Sequence, residues 1–170
     1  MDKIGPISLL DNNVVKESSG IVLINAHKKP PHLGVFSNNK YFSLSVNEVQ
    51  NNLDISVILQ IIHRKKIPSI FISFNNKLDN SLIEKIFASY SNLSKGMTCI
   101  NPIKELVSQQ LLCNVNDIHF IFELIPLLDR TNELKSYHHL YCESYLNSSC
   151  FELRKYTMED VLTRIKKLVK

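Results

Sequence analysis

Gly20-Ile-Val-Leu-Ile-Asn-Ala-His-Lys-Lys-Pro-Pro-His-Leu-Gly-Val-Phe-Ser-Asn-Asn-Lys-Tyr-Phe-Ser-Leu-Ser45 reads as three strands with two breaks. Ile21 to Ile24 is a short apolar run. Pro30 and Pro31 interrupt it, because neither can donate to a sheet ladder. His32 opens a second strand, Leu33 to Ser37. Asn38-Asn39 marks a tight turn, since asparagine tolerates positive φ better than most residues. Lys40 to Ser45 is the return strand. One histidine therefore stands at the head of a hairpin, with Gly34 two positions on along the same face.

Outward from this stretch the pattern becomes mixed. Ile7, Leu9 and Leu10 suggest an edge strand. Asp54 caps a helix running to Arg64, with Ile55, Ile58, Leu59 and Ile62 on one face. Ser69 to Phe74 alternates like a buried strand. Asp79 or Asn80 caps a further helix through Tyr90, carrying Leu82, Ile83, Ile86 and Phe87. Cys99 precedes a helix from Pro102 to Gln110, with Asn101 as its cap. Asp117 starts a helix that Pro126 kinks or ends. Phe151 to Leu153 suggests a short strand. Thr157 and Asp160 form a capping box ahead of Val161, Leu162, Ile165, Leu168 and Val169. The expected class is α+β, a mainly antiparallel sheet flanked by helices with a mostly helical C-terminal third. Ile70, Ile72, Ile86, Phe87, Ile103 and Leu106 are expected to be buried together.

At 170 residues the chain has the size of one domain. Its net charge of +4 is too mild for a nucleic-acid footprint. The Arg64-Lys65-Lys66 group and the terminal lysines read as cations at helix ends. No apolar stretch is long enough to span a membrane, and the opening Met-Asp-Lys-Ile-Gly-Pro, with no long apolar run after a basic start, gives no expectation of a secretory signal. A cytoplasmic location is the corresponding expectation. Four cysteines, Cys99, Cys113, Cys142 and Cys150, lack any Cys-x-x-Cys spacing. Free thiols fit a reducing compartment, and a Cys142–Cys150 bridge stays open for an oxidising one. His138, His139 and Cys142 are too few for a zinc site, so no metal and no cofactor is expected.

The pair that can carry chemistry is Cys99 with His32. A nucleophilic thiol needs a lowered pKa and a base in reach. A helix N-terminus supplies the first through its partial positive charge, and its free N–H groups can hold an oxyanion. The bland alternative is a small buried cysteine and a structural histidine.

The order of elements resembles the circularly permuted papain-like hydrolases, the NlpC-like and lecithin:retinol acyltransferase-like group. The pieces that carry the resemblance are the strand Gly20 to Asn25, the His32-Leu33-Gly34-Val35-Phe36 strand, the Asn38-Asn39 turn and the return strand. The Ile70 to Phe74 strand, the helix ending near Tyr90 and Thr98-Cys99 follow. The resemblance spans about residues 18–112 as a papain-like core, with 113–170 a helical extension packed on it in a single domain of 1–170. It implies Cys99 as nucleophile, His32 as general base and a third polar residue on the return strand. That strand offers Ser43 or Ser45, where the group often has histidine, and the Asn-Cys or Asp-Cys pair common in the group is missing. The implied activity is a cysteine hydrolase or acyltransferase acting on an amide, peptide or ester bond, with a peptide or lipid substrate. The alternative is an inactive papain-like fold that serves as a protein-binding or assembly module.

Overall fold

The computed structural model describes residues 3–90 and 97–169. In chain order the elements are β1 (Lys3–Ile4), β2 (Ile7–Leu9), α1 (Asn12–Glu17), β3 (Ser19–Ile24), β4 (His32–Ser37), β5 (Lys40–Leu44) and β6 (Val49–Asp54). There follow α2 (Ile55–Lys65), β7 (Ser69–Phe74), α3 (Asn80–Ser89), α4 (Asn101–Gln110) and α5 (Ile121–Arg130). The last are β8 (Leu134–Leu140), β9 (Leu146–Asn147), β10 (Cys150–Glu152) and α6 (Met158–Leu168). The class is α+β, as expected.

The quoted stretch forms consecutive antiparallel strands. β3 pairs with β4 through Ile24↔His32, and β4 with β5 through Gly34↔Ser43. Ser37↔Lys40 closes the hairpin over Asn38 and Asn39, whose φ values of 47° and 65° suit a two-residue turn. The full sheet has the order β2-β8-β7-β3-β4-β5-β6. Every pair in it is antiparallel except β2 with β8.

Side-chain alternation splits the core into two faces. Ile21, Leu23, Leu33, Val35, Phe42, Ile70 and Ile72 pack against α3, α4 and α5. Ile86, Phe87, Ile103 and Leu106 join this cluster, so the six residues named from the sequence are buried together. Val22, Phe36, Tyr41 and Phe71 pack on the other face against Ile55, Ile58 and Ile62 of α2. Asp54 and Asp79 cap their helices through Ser56 N and Ser81 N, as the sequence suggests.

Gly34 exists for a close approach. A Cβ there would stand 2.4 Å from the Tyr41 ring and 2.7 Å from its hydroxyl, and Tyr41 is only 1% exposed. The ring has little space for retreat, so Gly34→Ala is expected to cost about 1–3 kcal/mol in urea unfolding. A loss under about 0.5 kcal/mol would show that Tyr41 swings aside freely.

Three boundaries differ from the sequence reading. Ile100, not Asn101, is the N-cap of α4; the Asn101 side chain instead accepts from Thr98 N and Oγ1. α5 begins at Ile121, because the Glu123 carboxylate accepts from His119 N and Phe120 N and fixes the first turn there. Pro126 lies inside that helix without ending it, and Leu124, Ile125 and Leu128 are buried around it. The C-terminal third carries α5 and α6, and it also inserts β8 between β7 and β2 in the main sheet. A separate small sheet, β1-β10-β9, ties the N-terminus to the same third.

Candidate functional site

Antiparallel pairing brings three strand ends to one end of the sheet: the end of β3, the start of β4 and the end of β5. There lies a cavity of about 640 Å³. Its sheet side is lined by Ile24, His32, Leu44 and Ser45, with Pro30 and Pro31 from the loop before β4. Met97, Thr98 and Cys99 line it from the segment ahead of α4. α6 forms the opposite wall through Met158, Val161, Leu162, Arg164, Ile165 and Leu168. The structure therefore brings Cys99, His32 and Ser45 to one cavity, whereas Ser43 is not among its lining residues.

Cys99 sits in the turn one residue before the Ile100 cap and is half-buried. Burial pushes its thiol above the ordinary range. The backbone N–H groups of Leu33 and of Cys99 itself work in the opposite direction, stabilising the thiolate, but they lose to desolvation. This reverses the lowered pKa expected from a helix start. α4 is capped without a side chain, and the sulfur lies among apolar neighbours. Tyr41 and Tyr156 are close enough for charge on Cys99 to be felt at their buried phenols.

His32 is half-buried at the head of β4. Burial, and then the nearby positive charge of Arg164, push its imidazole down to about 4. At neutral pH both members of the pair are uncharged. No hydrogen bond joins them, and no described residue hydrogen-bonds to the His32 ring. Ser43 is buried and donates to Gln50 Oε1 at 3.2 Å. Ser45 donates to Glu48 O at 3.1 Å and accepts from Glu48 N at 3.2 Å. Neither serine bonds to the imidazole.

A neutral pair has a kinetic signature. Alkylation of Cys99 by iodoacetamide is expected to be slow at pH 5–7 and to climb only above the ordinary thiol range, because the thiolate alone reacts. A reactivity plateau between pH 5 and 7 would mean a preformed thiolate–imidazolium pair and contradict this electrostatic picture.

The remaining histidines and cysteines are placed elsewhere. His138 lies on β8, bonded to Ser8 and Ser136. Cys142 is buried and donates to Ser69 O. All four cysteines are free thiols. Among the described residues no three histidine, cysteine or acidic side chains gather as a metal-ion site, and no helix is long and apolar enough to cross a membrane.

Arg164 was not singled out from the sequence, although a signal was there. It lies three residues after Val161 and one before Ile165, inside the stripe Val161, Ile165 and Leu168. A charged residue on an apolar helix face needs a reason. Compared with family models, curated proteins and solved structures, the chain matches none.

Proposed function

We propose that this chain is a papain-like cysteine hydrolase or acyltransferase acting on an amide, peptide or ester bond. One observation carries the reading: Cys99 and His32, far apart in sequence, line the same cavity. The Cys99 thiol attacks the carbonyl carbon while its proton passes to the neutral His32 imidazole. The Leu33 and Cys99 N–H groups favour negative charge at the sulfur. His32 returns the proton to the leaving group, leaving a thioester on Cys99. Water, or an acceptor alcohol or amine, then attacks the thioester with His32 as base, giving the acid or the transferred acyl product.

The test is turnover of p-nitrophenyl esters of graded chain length. Cys99→Ser is expected to abolish release, and His32→Gln to lower kcat by about 10²–10⁴-fold. Unchanged release in both variants would reject the site.

A second reading has its own support. The resting pair is neutral, and Ser43 and Ser45 are engaged with other partners. These observations favour an inactive papain-like fold that serves as a binding or assembly module. Absence of ester turnover in a folded protein that still binds ligand would select it.

A further inference from the structure

The cavity is apolar except at a few points. Along α6 its wall is Met158, Leu162, Ile165 and Leu168, and Leu162 and Leu168 are each nearly half exposed. Met158 to Leu168 spans roughly 15 Å at 1.5 Å per residue, the reach of an extended chain of about twelve carbons. Set into this wall is the half-buried side chain of Arg164. The acidic residue one turn earlier, Asp160, is occupied: its Oδ2 accepts from Thr157 N at 2.7 Å and from Thr157 Oγ1 at 3.1 Å. Among the described residues no carboxylate lies within ion-pair distance of Arg164. A guanidinium lining an apolar cavity without a carboxylate is a ready partner for a planar anion, which its fork geometry matches best. The cavity volume is in the range of small-molecule sites.

We infer that this cavity takes a single-chain apolar ligand ended by a carboxylate, with the chain along α6 and the carboxylate on Arg164. The inference rests on the proposed hydrolase reading only in that such an acid would be its product; binding itself needs no reaction. Charge complementarity selects the occupant: an uncharged chain leaves Arg164 unpaired, and a cationic one is repelled by it.

The test is calorimetric titration of decanoate and of its neutral isostere decanamide into Cys99→Ser protein, so that no covalent chemistry intervenes. Decanoate is expected to bind about tenfold or more tightly than decanamide. Arg164→Met should remove that advantage while leaving decanamide unchanged. Arg164→Lys, which keeps a charge but not the fork, should retain part of it and serves if Arg164→Met does not fold. Ile165→Trp, filling the cavity from α6, should weaken both ligands. Equal binding of the two ligands, or decanoate binding unaltered in Arg164→Met or Ile165→Trp, overturns the inference. The two readings fail separately. Decanoate binding without ester turnover removes the hydrolase and leaves the ligand class standing; ester turnover without an Arg164 effect does the reverse.

Discussion

Phe87→Ala is expected to destabilise the protein by about 3–5 kcal/mol. Phe87 is fully buried, and its ring centroid lies 5.8 Å from that of Phe42 on β5. It anchors α3 to the sheet at the level where Ile103 and Leu106 of α4 complete the same cluster. Truncation removes the transfer energy of the ring and leaves a void that rigid strands on one side cannot close. Because α4 begins just after Cys99, the loss should also loosen the cavity. Urea unfolding checks the magnitude, and a loss below about 1 kcal/mol would mean that α3 is not held by this face.

The second large effect is a pH dependence. The His32 imidazole titrates near 6.5 when unfolded and at about 4 in the native chain. Between those values the unfolded state binds a proton that the native state refuses. Stability from this group is therefore complete above pH 6.5 and is lost as the pH falls toward 4. The full difference is on the order of 3 kcal/mol. His27 and His138 are shifted in the same direction, chiefly by burial, and add to the slope. The contribution of His32 is isolated by comparing wild type with His32→Leu in urea unfolding at pH 7.5, 5.5 and 4.0. The variant should lose less stability on acidification. Identical slopes would place the imidazole in water, free of Arg164.

Much of the frame was legible because it rests on local chemistry. Asparagine at positive φ, aspartate at helix starts and alternating β-branched residues each act over a few positions. Ser69–Phe74 accordingly has the bounds its pattern suggests. β8 was not legible. Its sequence, Leu134 to Leu140, carries Tyr137, His138 and His139 where apolar alternation would be looked for. It becomes a strand because β7 and β2 offer edges on both sides, a long-range pairing that no local pattern reports. β6, with Gln50, Asn51 and Asn52, is polar for the opposite reason: it is a sheet edge.

The site divides in the same way. Cys99 before a helix and His32 at a strand head were legible as positions. Their shared cavity depends on α6 crossing the end of the sheet. The electrostatics ran against expectation because desolvation outweighs the helix-start effect at Cys99, although it sits one residue before the cap. Burial at Cys99 and His32, and the added push of the Arg164 charge at His32, come from elements distant in sequence.

The most direct measurement is peptide mass mapping after brief exposure to a p-nitrophenyl acyl ester. One acyl group per chain is expected, carried by Cys99, accumulating far more slowly in His32→Gln and absent in Cys99→Ser. Acylation spread over Cys113, Cys150 and surface lysines, with Cys99 unmodified or indifferent to His32, would contradict it.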